Sequence, residues 1–262
     1  MKTRIKTLVR AKISPRLLRV LKNITGRDQP DEVDWIHKYL EKKIQHKVMI
    51  DVGAHYGESL SPFLFDNWKV FAFEPDPENM KELQSLTKSR NLILDTRGCS
   101  NKSVTDINFY KSNISTGISS MSAFDKTHTQ SNKIDTVTIK DFADEKNISE
   151  VGFLKIDTEG HDLFVLEGIP WDIIKPEVIV AEFEDRKTIN LGYCYHDMAK
   201  ILIDNGYTVL ISEWHPIQQY GSKHKWRSLN RYPYNLIDSN GWGNMIAFRD
   251  PSLASIIEIN NK

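Results

Sequence analysis

The sequence predicts an α/β protein with a doubly wound, parallel sheet, and three observations lead to this prediction. Short apolar runs that end in an acid recur along the chain, in KVMID, KVFAFE, FLKID and VIVAEFE. Stretches with helical spacing of apolar residues lie between these runs. The runs are apolar at successive rather than alternate positions, which is typical of strands that helices cover on both faces.

Length, charge and cysteine content narrow the class of protein. The chain has 262 residues and a formal net charge of zero, which suits one large α/β domain or two small ones. No apolar run approaches the ~20 residues of a membrane span, and LLRVL is too short and too charged for a signal peptide. Cys99 and Cys194 lie far apart without metal-ligand spacing, so we expect free thiols in a cytoplasmic protein.

The N-terminus concentrates positive charge. Residues 1–27 carry nine Lys or Arg and no acid. Such a segment could bind to the acidic remainder of the chain, to an acidic polymer or to an anionic membrane surface. The alternative is a solvated leader. We treat 1–46 as a basic helical extension, in which Asp31 caps a helix with apolar Val33, Ile36 and Leu40.

The remaining elements follow in alternation. The predicted strands are 47–51, 69–74, 153–157, 178–184, 207–212 and 242–250. The predicted helices are 58–66, 77–89, 161–167 and 196–205. We therefore expect one domain over 47–250, followed by a C-terminal tail over 251–262.

Acids stand at the carboxyl ends of four of these strands. They are Asp51, Glu74, Asp157, Glu182 and Glu184. Ligands of doubly wound sheets bind outside the carboxyl ends of the strands. We therefore expect these acids to line a working edge of the sheet.

The loop DVGAHYGES, residues 51–59, predicts a cofactor-binding turn. Gly53 permits a tight turn, and Gly57 permits a close backbone approach at the next helix. A dinucleotide fingerprint would need glycines where the chain has His55 and Glu58, and Glu58 would repel a pyrophosphate. The cationic sulfonium and amino-acid tail of S-adenosylmethionine (SAM) suit the loop and Asp51 better, although an ordinary strand–helix turn is the alternative.

A second cofactor signal is Glu74, which stands 23 residues after Asp51 at the end of the second strand. An acid there can accept both ribose hydroxyls of a nucleoside cofactor. This holds for NAD and SAM alike, so Glu74 indicates a nucleoside without specifying which.

Five motifs in order resemble the FkbM-like branch of the class I SAM-dependent methyltransferases. They are IDVGAHYGE, FAFEPDPEN, GCSNKSVTDINFY with the following GISSM, VGFLKIDTEGHDLFVLEG and PEVIVAEFE, within 47–250. The resemblance implies a Rossmann-like methyltransferase fold with a seven-stranded, mostly parallel sheet and an antiparallel last strand. It also implies SAM as methyl donor and a hydroxyl acceptor, commonly on a sugar or a polyketide alcohol.

Carried over position by position, the resemblance implies a set of cofactor contacts. These are Asp51, Gly53, Ala54, Gly57, Glu74, Pro75, Ser100 at the adenine and Asp157. Ser119 and Ser120 lie in the Ser-rich block of the family and could face donor or acceptor.

The segment KIDTEGHD supplies candidates for the chemistry. An aliphatic alcohol has a pKa far above neutral, so it needs a general base or a metal ion. The base candidates are Asp157, Glu159 and His161, with Glu182 orienting the acceptor. In a variant, Asp157, Glu159 and Glu182 hold Mg²⁺, but we expect no metal. The structural alternative is that His161 and Asp162 complement a helix end and Lys155 pairs with an acid.

The segment 213–241 predicts an acceptor lid. If the last strand is antiparallel to its predecessor, the chain between them leaves and re-enters at the cofactor edge. The segment is rich in aromatic and basic residues, which suit sugar rings and acidic carbohydrate. The candidate acceptor contacts are Glu184, Trp214, His215, Tyr220, His224, Trp226 and Arg227. Packing of some of these aromatic residues into the body is the alternative.

The leading hypothesis is a SAM-dependent O-methyltransferase that acts on a hydroxyl of a carbohydrate or glycolipid. One alternative is a non-catalytic SAM- or sugar-binding subunit that recruits a partner enzyme, and another is a nicotinamide-dependent oxidoreductase. Nucleic acid is disfavoured as a partner, because the body is acidic and lacks a basic aromatic stripe outside the lid. A peripheral membrane contact through 1–27 and a homo-oligomer are left open.

Overall fold

The computed structural model describes residues 31–84, 89–112, 119–122, 128–218 and 224–261. The basic segment 1–27 and the candidate Tyr220 lie outside the described residues.

Twelve strands and eight α-helices are formed by these residues, together with a 3₁₀ turn at Ile189–Leu191. The strands are β1 Val48–Val52, β2 Lys69–Phe73, β3 Leu92–Asp95, β4 Gly98–Cys99, β5 Ile107–Ser112, β6 His128–Ile134, β7 Thr136–Val137, β8 Phe153–Ile156, β9 Val178–Phe183, β10 Thr208–Trp214, β11 Trp226–Arg231 and β12 Trp242–Phe248. The helices are α1 Glu32–Leu40, α2 Ser61–Phe65, α3 Pro77–Gln84, α4 Ile139–Lys146, α5 Asp162–Glu167, α6 Asp185–Thr188, α7 Tyr195–Asp204 and α8 Pro251–Asn260.

The main sheet has the strand order β11-β10-β12-β9-β8-β1-β2-β3. Neighbours from β9 to β3 are parallel, whereas β12 is antiparallel to both β9 and β10. This confirms the mostly parallel sheet and its antiparallel last strand. The expected count of seven strands is wrong for this chain, because β11 pairs with the edge of β10 and makes an eighth.

Two apolar layers explain the continuous hydrophobic runs. Successive residues of each central strand face opposite layers, so that Met49 and Phe153 join one cluster and Ile50 and Leu154 the other. Both layers are buried, so most positions of such a strand are apolar, and the charged Asp51 and Lys155 are exceptions near the carboxyl ends of β1 and β8.

Helix α1 begins as predicted from its sequence. The carboxylate of Asp31 accepts a hydrogen bond from the backbone N–H of Asp34 at 3.0 Å and caps the helix. Ile36 and Leu40 are buried against the sheet, as their helical spacing predicts, whereas Val33 is only half-buried and Trp35 is buried in addition.

Residues 251–260, treated as a tail in the sequence, form helix α8. Asp250 is its N-cap and accepts from the backbone N–H of Ser252 at 2.8 Å. Leu253, Ala254 and Ile257 are buried in the same cluster as α1. The Asp-Pro pair at 250–251 is a helix-start signal that could have identified this helix.

A search of the described residues for membrane spans found no helix with the length and apolarity to cross a bilayer.

Candidate active site

A cavity of about 280 Å³ opens at the carboxyl ends of β1, β2 and β8. Its lining includes four predicted cofactor residues, Gly53, Glu74, Pro75 and Asp157, and the base candidate Glu159. The two predicted serines, Ser119 and Ser120, line it as well. Of the described residues on the cofactor side, Asp51, Ala54, Gly57 and Ser100 stand outside this lining.

Gly53 makes the tight turn after β1. Its φ is +78°, and a Cβ there would lie 1.9 Å from the carbonyl oxygen of Asp157. The backbone N–H groups of Gly53 and Ala54 both donate to the carbonyl of Phe73, at 3.1 and 3.0 Å. The turn is thereby fixed between β2 and β8, where only glycine fits.

Glu74 presents a fixed carboxylate to the cavity. It accepts backbone hydrogen bonds from His55 and Asp76, both at 2.8 Å. Burial raises the pKa of Glu74 to about 7. The side chain of Asn79 is a third hydrogen-bond partner. Since a carboxylate has about four acceptor sites, capacity for a ligand hydroxyl remains.

The buried Lys155 links the cofactor loop to the end of β8. Its ammonium donates to the carbonyl of Gly53 at 2.9 Å and lies 3.4 Å from Asp51 Oδ1 and 3.1 Å from Asp157 Oδ2. Asp51 also accepts from the hydroxyl of Ser59 at 2.5 Å. Lys155 therefore pairs with acids, and the cluster retains a net negative charge beside the cavity.

Asp157 keeps 39% of its side-chain surface exposed where it lines the cavity. Burial opposes ionisation, but the Lys155 ammonium outweighs it and lowers the pKa of Asp157 below its usual value. The group is a carboxylate at neutral pH.

A second charged cluster surrounds Lys187, a residue that is not among the predicted site residues. Its ammonium lies 2.5 Å from Glu159 Oε2, 2.9 Å from Glu184 Oε2 and 3.2 Å from Glu182 Oε2. The Lys187 side chain is only 2% exposed. Three predicted acids, one from the turn after β8, one from β9 and one from the start of α6, therefore surround one unpredicted cation.

Burial dominates the ionisation of two of these acids. It raises the pKa of Glu159 to about 7, although Lys187 opposes the shift. It also raises the pKa of Glu182 well above its ordinary value. Glu159 therefore exchanges its proton near neutral pH.

One carboxylate oxygen from each of Asp157, Glu159 and Glu182 lies within 4.8 Å of the others. The predicted trio of oxygen donors is thus assembled, and oxygen donors suit Mg²⁺. Two of the three acids also contact Lys187.

His161 lies apart from both charged clusters. Its Nε2 is 3.0 Å from the hydroxyl of Ser100, and its ring is stacked 4.5 Å from that of Phe164. Burial lowers the pKa of His161 to about 4. The imidazole is therefore neutral at pH 7 and is placed to orient Ser100.

The two serines of the Ser-rich block brace the cavity wall. The hydroxyl of Ser120 donates to the carbonyl of Glu159 at 2.9 Å, and that of Ser119 to Asp76 at 3.4 Å. Asp162 caps the turn after β8, accepting from the backbone of Thr158 and Gly160. This cap agrees with the structural alternative for Asp162.

Two parts of the predicted lid, residues 213–214 and 226–231, belong to the sheet. The indole of Trp214 donates to Glu32 at 2.8 Å, and that of Trp226 to Ser212 at 3.0 Å. Arg227 is held by Glu213 at 3.1 Å and by His215 at 2.9 Å. Because β11 pairs with β10, these side chains brace the sheet edge instead of covering the cavity.

His224 is the lid candidate that approaches the acids. Its ring packs edge-on at 5.2 Å against Trp242, a residue that the sequence analysis does not single out. Burial lowers the pKa of His224, while Glu184 raises it and Lys187 lowers it. His224 therefore lies within electrostatic reach of the Lys187 cluster.

The strand order, the antiparallel β12, the glycine turn after β1 and the acid after β2 define a Rossmann-like methyltransferase fold. The family described as Methyltransferase FkbM domain matches residues 51–209. The chain belongs to this family.

Individual relatives were also found. The chain is 26% identical over 181 residues to the hexuronic acid methyltransferase AglP of Haloferax volcanii, covering 67% of this chain and 70% of that one. Among solved structures, the magnesium protoporphyrin IX methyltransferase of Synechocystis PCC 6803 matches at 12% identity with a TM-score of 0.43, over 94% of this chain and 97% of that one. The precorrin-6y C5,15-methyltransferase of Geobacter metallireducens matches at 16% identity with a TM-score of 0.40, over 81% and 87%.

Proposed function

We propose that the protein is a SAM-dependent O-methyltransferase that transfers a methyl group to a hydroxyl of a carbohydrate, in a polysaccharide, a glycolipid or a sugar-containing metabolite. The observation that carries this proposal is one cavity that joins Glu74 at the end of β2 to Asp157 and Glu159 beyond β8. The family membership supplies the reaction class.

The residues present fit a nucleoside cofactor with a cationic centre. Glu74 supplies a fixed acceptor for two ribose hydroxyls. Gly53 holds the turn after β1 against the carbonyl of Asp157, where a Cβ would not fit. Asp157, ionised at neutral pH, favours a positive charge beside it. When bound, SAM supplies an electrophilic methyl group.

Glu159 is the proposed general base. An alcohol must lose its proton as its oxygen attacks, and a base works best when its pKa lies near the operating pH. The pKa of Glu159, about 7, meets that condition, whereas His161 is a neutral imidazole with a pKa of about 4. Glu182 contacts Lys187, the lysine that also contacts Glu159, and its proposed role is to orient the acceptor.

A sugar acceptor is supported by the relative named as a hexuronic acid methyltransferase. The acids of this chain favour a hydroxyl over a uronate carboxylate as the methylated group. A carboxylate acceptor is already ionised and needs no base, and Asp157 and Glu159 would repel it. The two acceptors give an ether and an ester, which differ in stability to mild alkali.

The alternatives predict different ligands. A nicotinamide-dependent oxidoreductase would bind NAD, but Glu58 follows the glycine turn where a pyrophosphate would lie. A non-catalytic binding subunit would keep its biological function in the Asp157→Asn and Glu159→Gln variants.

The first test is calorimetric titration with S-adenosylhomocysteine (SAH) and, separately, with NAD, each with and without Mg²⁺. We expect saturable binding of SAH alone. Methyl transfer from labelled SAM to neutral glycans and to uronates then tests the acceptor. We expect the product on neutral glycans to be an alkali-stable ether.

The matched variants are Glu159→Gln and His161→Gln. We expect Glu159→Gln to lower the transfer rate about 100-fold or more, the usual contribution of a general base, with unchanged SAH affinity. His161→Gln keeps most of the rate, because the amide can still bond to Ser100. Loss of rate in His161→Gln with full activity in Glu159→Gln would reverse the assignment.

A further inference from the structure

Lys187 is the buried cation at the centre of the proposed acceptor side, the cluster of Glu159, Glu182 and Glu184. An ammonium has three donors and no acceptor. Three carboxylates, Glu159, Glu182 and Glu184, lie within 3.2 Å of this ammonium. A buried charge with this number of partners is unusual, because desolvation is costly unless the geometry is good.

The backbone around Lys187 fixes the position of the ammonium. The backbone N–H of Lys187 donates to the carbonyl of Glu184 at 2.8 Å, at the start of α6. Gly160 permits the close approach of the two loops, since a Cβ there would lie 3.2 Å from Lys187 Cβ. The cation therefore comes from a rigid strand–helix junction that faces the turn after β8.

Glu159 and Glu182 have a second potential use. Together with Asp157, they bring three oxygens within 4.8 Å of one another, a spacing that suits one divalent ion. The same two carboxylates already contact Lys187. An ion at that place would have to share its ligands with a fixed positive charge.

We propose that the Lys187 ammonium is the built-in counter-ion of the acceptor site and takes the place of a divalent metal ion. Its role is to position: it holds the carboxylates of Glu159 and Glu182 side by side while Asp157 remains at the cavity. The consequence that methyl transfer needs no metal rests on the proposed function. The competition between lysine and metal for the carboxylates does not.

Electrostatics gives the expected behaviour. With Lys187 present, a divalent cation meets a neighbouring positive charge and carboxylates that are already bonded. Without it, the acids repel one another and attract a proton or a cation. Replacing Lys187 by a neutral side chain therefore creates a divalent site in place of the ammonium.

Mn²⁺ titration of the full chain, followed by water-proton relaxation, tests this proposal. The variants are Lys187→Ala, Lys187→Met, Lys187→Arg, the double variant Lys187→Ala/Glu182→Gln and, as a control, the single variant Glu182→Gln. We expect no saturable site in the unaltered protein or in Lys187→Arg below about 1 mM, the weak end of protein sites for divalent cations. We expect Lys187→Ala and Lys187→Met to gain one site at least ten times tighter, and the double variant to lose it.

Folding is followed by circular dichroism, without any measurement of methyl transfer. If Lys187→Ala and Lys187→Met fold only when Mn²⁺ is added, the ion replaces the ammonium and the proposal stands. The proposal is overturned if the unaltered protein binds Mn²⁺ at a site that Glu182→Gln removes. It is also overturned if the two neutral variants gain no site, or remain unfolded with the ion.

Discussion

Gly53 and Asp157 approach so closely that a Cβ on the glycine would lie 1.9 Å from the carbonyl oxygen of Asp157. This contact joins the end of β1 to the end of β8, the two strands that flank the cavity. The cofactor turn and the proposed catalytic segment are therefore held at one fixed distance.

Gly53→Ala should damage both stability and cofactor binding. The clash involves backbone, which cannot move aside without disrupting β8, and φ is positive. We expect a loss of roughly 4 kcal/mol or more in the free energy of unfolding, with SAH binding abolished. Urea denaturation and calorimetry measure the two effects.

The matched control is Gly206→Ala. Gly206 has a φ of +87° with nothing within 4 Å of an added Cβ. This variant should lose only the left-handed backbone cost of about 1–2 kcal/mol and should keep SAH binding. Equal losses in the two variants would show that the contact with Asp157 is unimportant.

Cofactor affinity should depend on the ionisation of Glu74. Its pKa in the free protein is about 7, and only the carboxylate accepts from both ribose hydroxyls. Below that pH, binding must first remove a proton, so SAH affinity should fall about tenfold per pH unit between pH 6.5 and 5.

Glu74→Gln should bind SAH weakly and lose this pH dependence, whereas Glu78→Gln should behave as the unaltered protein. Glu78 belongs to the following helix and is 76% exposed. Calorimetry at pH 5 to 8 provides the comparison. An affinity that is flat with pH in the unaltered protein would show that Glu74 does not contact the ribose in this way.

The unliganded protein should be more stable at pH 5.5 than at pH 7.5. Burial raises the pKa of Glu74 and Glu159 from 4.5 to about 7 and that of Asp162 from 3.8 to about 6. Between the unfolded and folded pKa values, the folded state binds more protons, so stability falls as pH rises through this window. The lowered pKa of Asp157 acts oppositely only below its unfolded value of 3.8. The pKa of His161, lowered from 6.5 to about 4, also opposes the trend below pH 6.5, but it is one group against three.

Thermal unfolding across this range, without ligand, measures the effect. We expect the midpoint to fall steadily from pH 5.5 to 7.5. A midpoint that rises over the same interval would mean that these acids are not desolvated in solution.

Helix α1 should depend on the buried carboxylate of Glu32. It accepts from Ser212 at 2.5 Å, Trp214 at 2.8 Å and Asn244 at 3.1 Å. Glu32→Ala leaves three donors unsatisfied and should cost about 2–3 kcal/mol in the free energy of unfolding.

Glu32→Gln is the conservative comparison. Burial raises the pKa of Glu32, so the negative charge itself contributes little and an amide oxygen can replace part of the network. Urea denaturation should place this variant closer to the unaltered protein than to Glu32→Ala. Equal destabilisation would mean that the charge is essential.

The sequence predicts six of the twelve described strands, β1, β2, β8, β9, β10 and β12, because a strand buried on both faces has little choice of residue. It does not predict β3 to β7 or β11, which are short or partly exposed. Asp157 and Glu159 were found by the same logic, since the carboxyl edge of a parallel sheet is where polar groups are otherwise unexpected. Glu74 follows from its fixed position after the second strand.

Lys187 could not be predicted in the same way. DRKT is typical of an exposed helix start, and the burial of its lysine results from the packing of α6 against the turn after β8. A signal was present nonetheless: three acids near one another need a counter-ion, and a lysine three residues after Glu184 is within reach.

The aromatic residues of the lid segment show that composition alone does not predict which way a side chain faces. The composition of the segment predicts that Trp214 and Trp226 stack on sugar rings, but the pairing of β10 with β11 directs their side chains toward α1. Composition identifies an aromatic segment, whereas strand register decides which way it faces.

The position of β12 also matters for biosynthesis. This strand lies between β9 and β10, yet it leaves the ribosome after both. Until then the edge of β9 that pairs with β12 stays unpaired on the nascent chain, with Glu182 near the end of β9. Pairing between strands so far apart in sequence is slow. The sheet beside the proposed acceptor site is therefore completed only after Trp242–Phe248 have been synthesised, so a chain shortened before Trp242 would lose a strand from within its sheet rather than one from its edge.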